Sequence, residues 1–195
     1  MFRDKKRSAC SFMLSIAALS CIMLTAGCVK EQSLKIDGRA PEISAIDLND
    51  RTVKLSDFNK KVVVLRFWSS GCKACIANMP VLDAFSRKYR EKGLAVIAVN
   101  MGDSKEEVEK FARSLNISYP VLLDPVRITA QKYRVTAVPT TIIIDRSGIA
   151  KKRVAGEMTQ EQLEKTVREL LNGKMGQPSH LSSSDLRDDV RHHLH

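Results

Sequence analysis

The chain has 195 residues, 44% of them hydrophobic and 28% charged, a balance that supplies one globular core plus appendages. Its formal charge of +10 favours anionic surfaces. The basic residues are scattered and form no arginine–aromatic stripe, so the surplus reads as a solvated surface near lipid and not as a nucleic-acid footprint.

The N-terminus begins with FRDKKR, followed by 22 uncharged residues from Ser8 to Val29. A basic start before an apolar run is an export signal and is set apart from the fold. The run ends in LTAGC at Leu24–Cys28. Small residues before a cysteine resemble a lipobox, which implies cleavage after residue 27 and lipidation of Cys28. Thr25 stands where lipoproteins usually carry leucine. Two other readings stay open, a retained helix long enough to span a bilayer and plain secretion. All three place the domain outside the cytoplasm. Residues 28–40 are expected to be a polar tether, and residues 41–173 the folded domain.

EISAIDL and RTVKL flank Asn49–Asp50 and predict a β-hairpin. Lys61–Trp68 is a β-branched apolar run and predicts a buried strand. A helix follows from about Lys73 to Lys92, with Ile76, Met79, Leu82, Phe85 and Tyr89 on one face. Gly93 stops it, and Pro80 removes a backbone donor inside it. LAVIAVN is the next strand. The helix after it is capped by Ser104 and Glu107, with Val108, Phe111, Ala112 and Leu115 inward. YPVLLD predicts a short strand and VRITAQKYRV a short helix. TTIIID and AKKRVAG flank the turn DRSG as an antiparallel pair. Thr159 and Gln162 cap a last helix that buries Leu163, Val167, Leu170 and Leu171, and Gly173 ends it. Residues 174–195, rich in serine, charge and histidine, are expected to be disordered. Strand–helix alternation predicts an α/β fold, with a central mixed sheet covered on both faces.

Five cysteines occur. Cys10 and Cys21 lie in the signal and Cys28 is the lipid candidate. Cys72 and Cys75 are therefore the domain's only thiols. In an oxidising compartment such a pair is a structural clip or a redox centre. Cys72 falls at a strand end and a helix start, where backbone N–H groups and the helix dipole stabilise a thiolate. Lys73 adds a positive charge. Cys75, one turn on, is placed to attack a mixed disulfide formed at Cys72. Zinc is disfavoured, because one CxxC supplies two ligands and all four histidines lie in the tail, at His180, His192, His193 and His195. No organic or metal cofactor is expected.

FW before CKAC, Met79–Pro80 after it, LAVIAVNMGDS and AVPTTIIIDRSG together resemble the membrane-anchored thioredoxin-like thiol:disulfide reductases of the TlpA/ResA kind. The resemblance runs from about Gly38 to Leu171. It implies a thioredoxin fold with an N-terminal β-hairpin and a β-α insertion. It also implies a cis peptide bond at Val138–Pro139, with the Val138 main chain offered to a substrate strand. Trp68 would pack near the disulfide. The implied partners are protein disulfides, apocytochrome c among them, and a membrane electron donor of the CcdA/DsbD kind. A monomer is expected.

The chain departs from this family's pattern at several positions. Gly71 precedes Cys72 where tryptophan is usual, and Ala74 precedes Cys75 where proline is usual. Asn78 stands in place of a glutamate three residues after the second cysteine. Arg66 occupies a strand position where thioredoxins carry a buried acid. As a buried cation it would favour the thiolate; otherwise it snorkels to the sheet edge. Two rival functions remain. A redoxin-type peroxidase has Ser69 in its favour and Leu65, in place of a proline, against it. A Sco-like copper metallochaperone needs CxxxC and a domain histidine, and this domain has neither.

Overall fold

The computed structural model describes residues 33–173. The expected signal, the expected lipidation site Cys28 and the histidine-containing tail lie outside the described residues. Within them the elements are β1 (Ser44–Asp47), β2 (Thr52–Lys54), β3 (Val62–Trp68), α1 (Lys73–Tyr89), β4 (Leu94–Asn100), α2 (Lys105–Ser114), β5 (Val121–Leu123), α3 (Ile128–Lys132), β6 (Thr140–Ile144), β7 (Ala150–Ala155) and α4 (Gln160–Leu171). Seven strands form one sheet in the order β2-β1-β5-β4-β3-β6-β7. Strands β3, β4 and β5 are parallel, and the other pairings are antiparallel. The sheet is therefore mixed, as strand–helix alternation closed by a hairpin predicts.

The two central strands, VVVLRFW and LAVIAVN, are buried at every position. That is the signature of strands covered on both faces. Alternate residues of β3 feed two cores. Val62, Val64 and Trp68 join α1, α2 and α4 on one face. Val63, Leu65 and Phe67 join Ala130, Tyr133 and Val135 on the other. One step of register would exchange the two sets.

The caps form where they were expected. Ser104 and Glu107 close a reciprocal box on α2, and Thr159 and Gln162 do so on α4. Helix α1 runs through Pro80 to Tyr89, and a single 3₁₀ turn carries the chain to Gly93. Gly93 has φ 93°, a left-handed conformation that glycine adopts at no steric cost.

One expectation is corrected. The tether does not extend to residue 40, because residues 34–40 pack onto the domain. Leu34 and Ala40 are buried. Leu34 N–H donates to Lys132 O at 2.8 Å, Asp37 N–H to Ala150 O at 2.8 Å, and Ala40 N–H to Gly148 O at 2.9 Å. Two apolar side chains in a polar stretch carry little periodic signal. They are buried because the second face of the sheet, with only the short α3 over it, needs further cover.

Candidate active site

The chain leaves β3 toward β4 and β5 on one side, and later places β6 on the other. The end of β3 is thus a switch point of the sheet, where open α/β folds place their chemistry. The segment Ser69–Cys72 occupies it. Cys72 N–H donates to Ser69 O at 3.1 Å, closing a turn, and Cys72 becomes the N-cap of α1. Its Sγ accepts the Cys75 N–H at 3.2 Å. A sulfur used as a helix cap lies among the unpaired N–H groups of the first turn, which stabilise negative charge there.

Cys72 and Cys75 are joined as a disulfide, with Cα atoms 5.2 Å apart. The two sulfurs are not equivalent. Cys72 is half-buried and Cys75 is 2% exposed. Cys72 is therefore the more accessible of the two. Lys73 and Gly71 are exposed, and Asn78 is half-buried on α1. A Cβ built at Gly71 meets nothing within 4 Å, so Cys72 has open space beside it. A groove of about 650 Å³ between the β1–β2 turn and the end of α2 holds neither cysteine. The disulfide sits beyond the C-terminal end of the central strand β3 and not in that cavity.

Trp68 is fully buried in the same cluster as Cys75 and Met79. It meets Phe111 edge-to-face at 6.4 Å. Its Nε1 and the Tyr119 hydroxyl have no hydrogen-bond partner among the described residues. Burial pushes the Tyr119 phenol well above its ordinary range, and the Asp83 carboxylate adds to this.

The Val138–Pro139 bond is cis. Val138 packs against both cores. Thr140 Oγ1 donates to Ala137 O at 2.7 Å, and Gly156 N–H donates to Pro139 O at 2.8 Å, so the segment is held at both ends. Arg66 is buried and does not snorkel to the sheet edge. Its guanidinium is buried but paired, bonded to Thr141 Oγ1 at 2.7 Å and to Glu157 at 2.9 and 3.0 Å.

Two groups at the site carried no clear sequence signal. Asp103 accepts the Ser70 N–H at 2.5 Å and the Ser70 hydroxyl at 2.9 Å. Asn100 orients it through a 2.6 Å bond from Nδ2. The available cue was its place after β4, whose C-terminal end lies beside that of β3. Glu157 had no such cue, since its partner is 91 residues away.

A dithiol/disulfide pair at a helix start, with one sulfur accessible and one buried, on a mixed sheet of this order, defines a thioredoxin-fold thiol:disulfide oxidoreductase. Comparison with known proteins agrees. The AhpC/TSA family model matches residues 36–153, more than half of the chain. The thiol-disulfide oxidoreductase ResA of Geobacillus kaustophilus is 31% identical over 153 residues, covering 78% of this chain and 88% of that protein. ResA of Bacillus subtilis is 31% identical, covering 77% and 84%. A crystal structure of a candidate thiol:disulfide interchange protein DsbE from Chlorobium tepidum superposes with a TM-score of 0.67 at 31% identity, covering 71% of this chain and 99% of that one. The chain belongs to the AhpC/TSA family and, within it, to the ResA-like thiol-disulfide oxidoreductases.

Proposed function

We propose that this protein is an extracytoplasmic protein-disulfide reductase, held to a membrane through a lipid on Cys28. The carrying observation is the asymmetry of the cysteine pair, with Cys72 accessible at the start of α1 and Cys75 buried one turn behind. In the reduced protein the Cys72 thiolate attacks one sulfur of a client disulfide. A mixed disulfide forms and the other client sulfur leaves as a thiolate. Cys75, deprotonated, then attacks Cys72 Sγ, closes the 72–75 disulfide and releases the second client thiol. Two electrons pass to the client, and its thiolates take up protons from solvent.

Val138 and Pro139 form the surface against which the client strand lies during the mixed disulfide. Trp68 backs the pair. Gly71, Lys73 and Asn78 set its access and charge. Return of the protein to the dithiol form draws electrons from a membrane donor of the CcdA/DsbD kind. The client class is a protein with paired cysteines, such as apocytochrome c. The basic and then apolar N-terminus supports export, and the ResA and DsbE names of similar proteins support the thiol chemistry.

The deciding measurement is the reduction potential of the 72–75 couple in the full-length protein. A value near that of thioredoxin, about −270 mV, is expected. A value near that of DsbA, about −120 mV, would make the protein an oxidant and overturn the reductase reading.

A further inference from the structure

Arg66 lies on β3 two residues before Trp68, so both side chains leave the same face of the sheet. That face carries Cys75, Met79 and the N-terminal half of α1. The Arg66 side chain is 8% exposed, while that of Glu157 is 40% exposed. A guanidinium so deeply placed needs a counter-ion. Glu157 supplies it from the short segment between β7 and α4, and Thr141 on β6 fills a second guanidinium donor. The residues on either side of Glu157 are anchored at the active site. Gly156 N–H holds the Pro139 carbonyl at 2.8 Å, and Met158 is buried in the cluster that contains Trp68 and Cys75.

We propose that Glu157 is a positioning residue for the redox couple, acting through Arg66 to set the balance between dithiol and disulfide. The inference rests on the reading of Cys72–Cys75 as the working couple. Its physical basis is a difference between the two redox states. The disulfide carries no charge, whereas the reduced pair holds a thiolate at Cys72. A buried cation on this face stabilises only the reduced form. Glu157 offsets that cation and so holds the couple toward the disulfide. A purely structural ion pair would stabilise both redox forms alike and leave their ratio unchanged.

The test equilibrates the full-length protein with glutathione of known reduced-to-oxidised ratio, and far-ultraviolet circular dichroism confirms folding. Glu157→Gln is expected to shift the equilibrium about tenfold toward the dithiol, or about 30 mV upward for a two-electron couple. Arg66→Met is expected to shift it the opposite way. With methionine at 66, adding Glu157→Gln is expected to change it less than twofold. Where Arg66→Met does not fold, Glu157→Asp replaces it. That variant keeps the charge and stays within twofold of the parent, while Glu157→Gln moves. The proposal is overturned if Glu157→Gln leaves the ratio within twofold, if it moves it toward the disulfide, or if Gln and Asp shift it equally. A parent protein that does not equilibrate with glutathione defeats the redox reading itself. A parent that equilibrates alongside unmoved variants defeats only the role of Glu157.

Discussion

The carboxylate of Asp103 holds both polar hydrogens of Ser70, the backbone N–H at 2.5 Å and the hydroxyl at 2.9 Å. Two loops from the ends of adjacent parallel strands are thereby tied together, and the tied segment leads directly into Cys72. Hydrogen bonds to a charged acceptor are about twice as strong as neutral ones. Asp103→Ala is expected to destabilise the protein by about 1–3 kcal/mol and to slow reduction of insulin disulfides. Urea unfolding and an insulin turbidity assay check the two parts. Wild-type values in both would show that the Ser70 contacts contribute nothing.

The roles assigned to the cysteines make separate predictions. Cys72→Ser removes the accessible sulfur and is expected to abolish insulin reduction. Cys75→Ser leaves Cys72 able to attack but removes the thiol that releases the client. Mixed disulfides are then expected to accumulate, visible as reductant-sensitive bands on non-reducing gels. Their absence would remove Cys75 from the resolving role.

Gly71→Trp tests the open space beside Cys72. Nothing lies within 4 Å of a Cβ there, so stability is expected to stay within about 0.5 kcal/mol of wild type, as for an ordinary surface change. The indole would cover the sulfur. Reduction of a large protein disulfide should slow more than reduction of a small aromatic disulfide. Equal slowing of both would point to an electronic effect in place of a steric one.

Asn78→Glu places a carboxylate at a half-buried position of α1, one turn beyond Cys75. A nearby negative charge disfavours a thiolate. The Cys72 pKa is expected to rise and the reduction potential to fall. Thiolate absorbance against pH, followed by equilibration with glutathione, reads both. A fall in the pKa would remove Asn78 from the residues that set the charge around the pair.

Asp83 makes the acid behaviour of the fold predictable. Burial alone would raise its carboxyl pKa. Bonds from Ser118 N at 2.8 Å and Ser118 Oγ at 2.7 Å, with the Arg87 ion pair, outweigh burial and hold it below its ordinary value. Asp47 is lowered in the same way against its own burial, by Arg51 and by the Asn49 N–H. A carboxyl with a lowered folded-state pKa contributes stability above its unfolded value, about 3.9, and loses it as pH falls through the folded value. Stability should therefore drop below about pH 4. Asp83→Asn should flatten that drop and lower stability near neutral pH. An unchanged acid slope in the variant would rule Asp83 out as a source.

Much of this architecture is legible in the chain itself. The runs VVVLRFW and LAVIAVN are buried on both faces, and a continuous apolar run reports that directly. Ser104–Glu107 and Thr159–Gln162 mark two helix starts, because a capping box is complete within four residues. CKAC after a buried strand and before a helix places the thiols, since the needed backbone N–H groups are local. What distinguishes Cys72 from Cys75 is also partly local, because the first caps the helix and the second turns inward.

Other features depend on residues far apart in the chain, and no local pattern encodes them. Leu34 and Ala40 look like tether residues until the second sheet face is seen to lack cover. Asp103 meets Ser70 only because β3 and β4 lie side by side. Arg66 reads as an oddity on its own strand; 91 residues separate it from the carboxylate that neutralises it. Sequence determined the elements, the thiols and the family, because periodicity, capping and CxxC spacing act over a few residues. Tertiary structure alone decided that Arg66 is buried and that Glu157 balances it. Electrostatics depends on distance in space, and that distance is set only when the sheet closes.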